Sequence, residues 1–151
     1  MSKPFWIASI AVALAVAFVL VGCAVAATRV AMVLAMQRTA PAYLVQTTHG
    51  YPNLLKAARL KNDSNKPIAS YRIGWAYVRP NGIDLHKGAL MSVPMGIKPG
   101  DIHDVSDQAV PFDERAQSVI FFVAELGFAD GSDWKVDIED IAHEAGLKFS
   151  R

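Results

Sequence analysis

The chain of 151 residues reads as a mainly β protein: an antiparallel, immunoglobulin-like β-sandwich with an N-terminal transmembrane or signal helix and a short C-terminal helix. Three observations point there. After Met36 the sequence breaks into six or seven short β-compatible stretches separated by clusters of Gly, Pro, Asn and Asp, the spacing of a sandwich. The regular alternation of strand and helix that a parallel α/β sheet needs does not occur. One uncharged apolar run, Phe5 to Ala27, stands apart from everything that follows it.

Composition divides at the same place. The chain is 52% hydrophobic, but 28 of the 32 residues from Phe5 to Met36 belong to that set. The other 119 residues hold 51, about 43%, an ordinary value for a domain with a core. All 14 Asp and Glu, and 13 of the 15 Lys and Arg, follow Met36. With no basic surplus to neutralise phosphates, nucleic-acid binding is excluded as a default. The balanced charge and ample apolar content exclude a disordered chain. One cysteine, Cys23, excludes an intrachain disulfide and a cysteine-rich zinc site. The chain therefore divides into an N-terminal membrane anchor or signal segment, residues 1–36, and an exported domain, residues 37–151.

As a helix, the 23 residues from Phe5 to Ala27 extend roughly 34 Å at ~1.5 Å per residue, enough to span a hydrocarbon core of ~30 Å. Three readings of this segment stay open. It is an uncleaved signal anchor, with Lys3 and the amino terminus in the cytoplasm. Or Leu20-Val21-Gly22-Cys23 resembles the lipobox of bacterial lipoproteins, making Cys23 a lipidation candidate; the apolar Ala24–Ala27 and Val30–Met36 then stand where such proteins carry a polar tether. Or a signal peptidase cuts after the small-x-small pattern Ala24-Val25-Ala26. The first two tether the protein to a membrane, with its domain on the periplasmic or extracellular side.

In the domain, Ala42 to Thr48 is β-compatible and ends in the turn cluster His49-Gly50-Tyr51-Pro52. Leu54 to Lys61 is a second strand candidate, although its Leu-Leu-Lys-Ala-Ala stretch also suits a helix. Lys61 to Pro67 is a polar loop whose Asn, Asp and Ser side chains bond back to their own backbone. Ile68 to Val78 is the clearest strand, with Tyr71, Ile73, Trp75 and Tyr77 alternating on one face. Pro80-Asn81-Gly82 closes it with a turn. Ile83 to Val93 is a weaker strand broken by Gly88, Lys98-Pro99-Gly100 another turn, and Asp101 to Ser106 a short polar strand. Val119 to Phe128 is apolar on both faces except at Glu125, which predicts a central, doubly covered strand. After Trp134-Lys135-Val136, Asp137 caps a helix over residues 137–146, with Ile138, Ile141, Ala142 and Ala145 on one stripe and Gly146 as its stop. That helix is expected to cover an open end or edge of the sandwich.

The run Leu60-Lys61-Asn62-Asp63-Ser64-Asn65-Lys66-Pro67-Ile68, the aromatic strand after it, Pro80-Asn81-Gly82 and Ile97-Lys98-Pro99-Gly100 together resemble the small exported bacterial domains of the FxLYD type. The likeness covers Leu54 to Val105, and the Phe-x-Leu-Tyr-Asp signature itself does not occur. It implies a membrane-associated or lipoprotein β-sandwich, and it supplies no catalytic residues.

Chemistry-bearing clusters are few. Asp101, His103, Asp104 and Asp107 form the only dense group of metal-ligand types, with hard oxygens that suit calcium. On a strand, however, Asp101 and His103 share one face while Asp104 points the other way. A solvated polar strand is the preferred reading, so no metal and no cofactor is expected. His49, His86, His103 and His143 are scattered, and no Gly-x-Ser-x-Gly elbow, phosphate loop or dinucleotide fingerprint is present. No catalytic residues are nominated. Trp75, Trp134, Tyr71 and Tyr77 could stack on sugars, but their i±2 spacing is that of a sheet's inner face. Asn62-Asp63-Ser64 matches a glycosylation acceptor and is read as a turn. The functional expectation is a non-enzymatic, membrane-tethered accessory or interaction domain of the cell envelope with a protein partner; the alternative is a module binding a metal or glycan.

Overall fold

The computed structural model describes residues 30–48, 55, 57–106 and 110–144. These form nine strands and one helix: β1 (Ala31–Leu34), β2 (Ala42–Thr48), β3 (Ala57–Asn62), β4 (Ile68–Arg79), β5 (Gly82–Lys87), β6 (Met91–Ile97), β7 (Ile102–Ser106), β8 (Ser118–Phe128), β9 (Asp133–Lys135) and α1 (Ile138–Glu144). The apolar run Phe5 to Ala27, including Cys23, lies outside the described residues. Among those described, no helix is long and apolar enough to cross a membrane.

Two sheets share one core. The smaller is the antiparallel set β2-β3-β7. The larger has six strands built on the antiparallel pair β4–β8. On its far side β4 pairs with β6 over its first half and with β5 over its second. β8 in turn pairs with β1 at its start and β9 at its end. The buried cluster between the sheets takes Ala42, Leu44, Ala58, Leu60 and Val105 from the smaller one. From the larger it takes Tyr71, Ile73, Trp75, Tyr77, Val119, Phe121 and Val123. The alternation expected for Ile68 to Val78 is thus the inner face of β4, and its aromatics are core.

Three expectations need correction. The larger sheet is mixed rather than antiparallel, because β1 runs parallel to β8, Ala31 opposite Ser118 and Leu34 opposite Phe121. Residues 31–34, grouped by hydropathy with the segment 1–36, thus form an edge strand of this sheet. An apolar edge strand on a two-faced sheet and the tail of a greasy segment have the same composition, so sequence does not separate them. The stretch Ile83 to Val93 is two strands, since the chain leaves β4 after Lys87 and returns at Met91. Finally, α1 does not cover an end or edge. Ile141 packs with Ala35, Ala76, Ile120, Phe122 and Ala124 on the outer face of the larger sheet.

That outer layer makes β8 doubly covered, as its composition predicts. A register shift between Arg72 and Ile73 lets β8 change parity, so Val123 and Leu126 both face the inner core. Glu125 then lands on the outer face, 3.3 Å from Arg72 Nε and 3.1 Å from Lys87 Nζ. Gly74 is required opposite Phe122: a Cβ there would meet the ring at 2.4 Å.

The gap along β8 between β1 and β9 is closed by a side chain. Ala35 N–H donates to Phe121 C=O at 2.9 Å. Gln37 Nε2 donates to Val123 C=O at 2.8 Å and its Oε1 accepts the Val123 N–H at 2.7 Å. Val136 N–H then donates to Ala124 C=O at 3.0 Å. Gln37 is 3% exposed and holds a left-handed backbone, φ 38°, which turns the chain away while its amide takes a strand residue's place. Gln37→Ala should therefore lower stability by about 2–3 kcal/mol, because two buried backbone groups lose their partner. The reading is a fall in urea midpoint at unchanged slope for the full-length protein, and an unaltered midpoint would contradict this role.

Candidate functional site

Local sequence builds the site from the β4–β5 hairpin. Pro80 and Asn81 form its two-residue turn, with Arg79 opposite Gly82. Strand alternation then sets Tyr77 opposite Asp84 and Trp75 opposite His86. All of these lie on the inner face, but cover by the smaller sheet runs out here. Trp75 and Tyr77 are buried, whereas the Asp84 and His86 side chains are 42% and 40% exposed.

The segment from Val110 to Gln117 closes one side. Tyr77 Oη donates to Pro111 C=O at 2.5 Å, and Gln117 N–H donates to Val78 C=O at 2.8 Å. Arg79 lies between two carboxylates: it pairs with Asp113 through both Nε and Nη2, and its Nη2 is 3.0 Å from Asp84. Asp113 also accepts the Arg115 N–H at 2.9 Å, so it holds the loop as well as the arginine. His86 Nε2 approaches Asp84 at 3.1 Å, with the ring stacked on Trp75 at 5.7 Å and 11° and edge-on to Tyr77 at 5.2 Å. Together with Phe112 and Glu114 these residues line an open groove of about 450 Å³.

The electrostatics follow from the pairing. The Arg115 N–H, and then the Arg79 guanidinium, hold the Asp113 carboxyl below the usual carboxylate range. His86 first, then Arg79, does the same for Asp84. Burial pushes the Tyr77 hydroxyl up, which keeps it a donor to Pro111. The arginine at the centre is spent on its two partners. What the groove offers a ligand is an aromatic wall, carboxylate lone pairs and an exposed Phe112 and Arg115 at its lip.

No protein-family model, curated protein or solved structure matches the chain.

Of the metal-ligand group of the sequence, the described members Asp101, His103 and Asp104 do not converge. His103 faces inward, edge-on to Tyr71 at 5.7 Å. Asp104 points outward to Arg59, 3.2 Å away, and Asp101 is exposed in the turn before β7. Asp107 and His49 lie outside the described residues. Among the described residues no three of His, Cys, Asp and Glu converge as metal ligands. Tyr71, Trp75 and Tyr77 are buried, and the half-buried Trp134 packs against the same core. Sequence reasoning missed Arg79, Asp84, His86, Asp113 and Arg115. The first three could have been found, since a two-residue turn at Pro80-Asn81 dictates the pairing of Tyr77 with Asp84 and Trp75 with His86. Asp113 arrives from a loop with no local signal.

Depressed carboxylates stabilise the fold above about pH 4, where the unfolded chain is already ionised, and lose that contribution as pH falls through their lower native values. Asp113→Asn should accordingly reduce stability at neutral pH and flatten its decline below about pH 4. Urea midpoints along a pH series check this, and a variant curve parallel to the wild type through the acid range would contradict it.

Proposed function

We propose that the chain is a non-catalytic, membrane-tethered interaction module of the cell envelope. Its binding surface is the groove between the β4–β5 hairpin and the Val110–Gln117 segment. The observation that carries this is the internal pairing of the groove: Arg79 lies between Asp84 and Asp113, and Asp113 also accepts the Arg115 N–H. General acid–base or nucleophilic chemistry asks for a poised group with its partner oriented toward a substrate. Here Arg79, Asp84 and Asp113 are committed to one another and to the loop, and shape, aromatic surface, hydrogen-bond acceptors and the exposed Arg115 side chain at the lip remain for recognition.

Tethering is supported by the uncharged Phe5–Ala27 run. The immunoglobulin-like, FxLYD-like assignment belongs to the same proposal. It is supported by two sheets over one core and by the turn at Asn62-Asp63-Ser64.

Two measurements test the proposal. The protein should stay in the membrane pellet through an alkaline carbonate wash; its release would refute the tether. A photo-crosslinking residue in place of Glu114, at the groove rim, should capture a discrete protein adduct in native membranes. The same residue in place of Lys98, at the opposite end, should not. Equal labelling at both positions, or none at Glu114, would refute the groove as the binding surface.

A further inference from the structure

We infer that the groove end of the sandwich is apposed to the lipid bilayer, with Phe112 and Arg115 at the headgroup layer, so that the protein partner of the groove is one that reaches it at the membrane surface; this rests on the tethered reading above. The argument is one of chain direction. β1 runs parallel to β8, so both strands begin at the same end. There the Ala31 N–H donates to Gln117 C=O at 3.2 Å, and Gln117 N–H donates to Val78 C=O at 2.8 Å. The Pro80-Asn81 turn and the Pro111–Arg115 loop lie at that end with them. The turns that follow β3, β6 and β8 gather at the other end, joined by Asn62 N–H to Asp101 C=O at 3.0 Å and Ala129 N–H to Pro67 C=O at 3.0 Å.

Chain length then limits where the groove can sit. Only Thr28 and Arg29 separate the apolar run from Val30, which is itself packed in the core. At ~3.6 Å per residue those three steps reach ~11 Å at most. One headgroup layer is already about 6 Å thick. Val30 therefore stays at the membrane surface and takes its end of the sandwich with it. A lipidated Cys23 would lengthen the reach to ~25 Å but would attach at the same end.

The side chains there suit the position. Phe112 is 36% exposed beside an exposed Pro111, and the Arg115 side chain is 80% exposed. An aromatic can enter the interface while an arginine reaches phosphate. Arg79 and Arg115 share the groove with Asp84, Asp113 and Glu114, and Arg29 precedes Val30 at this end, so its arginines and carboxylates balance. The contact is thus set by the tether and the apolar lip, with no dependence on anionic lipid. The far end stands ~40 Å away, the length of the 12-residue β4 at ~3.3 Å per residue.

The test uses the full-length protein, with Cys23 intact, reconstituted in phosphatidylcholine vesicles doped with a nitroxide-headgroup lipid that quenches on contact. A fluorescent aromatic residue replaces Phe112 in one sample and Asn65, at the far end, in another. Strong quenching at position 112 and none at 65 is expected, unchanged by added salt or by phosphatidylglycerol. Quenching at 65, or at neither site in vesicle-bound protein, overturns the orientation while the tether stands. Protein that fails to float with the vesicles overturns the tether and the orientation together.

Discussion

A strand covered on both faces has no water to satisfy its backbone, so every N–H and C=O along both edges must find a protein partner. In this fold that strand is β8. From Val119 to Ala124 every residue is buried, facing alternately the inter-sheet core and the layer that holds α1. β4 satisfies one edge along nearly the whole length. The other edge is satisfied piecewise by β1, Ala35, the Gln37 amide, Val136 and β9. Much of the remaining architecture follows. The chain must supply a strand before the smaller sheet begins, a buried glutamine to bridge the gap, and a short return strand that delivers α1 to the outer face.

A second buried amide ties the two sheets at the end away from the groove. Asn62 is fully buried and uses its side chain completely. Its Nδ2 donates to the carbonyls of Lys66 and Ile97, both at 2.8 Å, and its Oδ1 accepts from the Ser64 N–H and Oγ. Its own backbone bonds Asp101 and Gly100. One residue thus fixes the β3–β4 turn, the end of β6 and the start of β7. Such satisfied networks specify one arrangement, because every alternative would leave a buried polar group unpaired. With that end fixed by amides, the opposite end is held by ions around Arg79, and there the sandwich opens into a groove.

Legibility from the sequence differed by element for physical reasons. β4 was clear because one face of it is core and its alternation is therefore strict. Composition marks Glu125 as the polar exception on β8, but its partners Arg72 and Lys87 come from two other strands. The parity change that sets Glu125 on the outer face is a register shift, which leaves no mark in composition. Asp101, His103 and Asp104 looked like a cluster because they are neighbours in sequence. Strand geometry sends His103 toward Tyr71 and Asp104 toward Arg59.

By itself the sequence determined the class and its local pieces: a β-rich domain, an uncharged apolar run from Phe5 to Ala27, turns at Pro80-Asn81 and Lys98-Pro99-Gly100, an aromatic core strand and a closing helix. These rest on nearest-neighbour chemistry, on side-chain period, turn propensity and hydropathy. The tertiary structure alone decided that β1 lies parallel to β8, that Gln37 acts as a strand residue, that α1 covers a face, and that Arg79 meets Asp113 across 34 residues. Each of these depends on which backbone edge or buried charge is left without a partner once the sheets have formed. That demand exists only in the assembled fold, where water can no longer meet it.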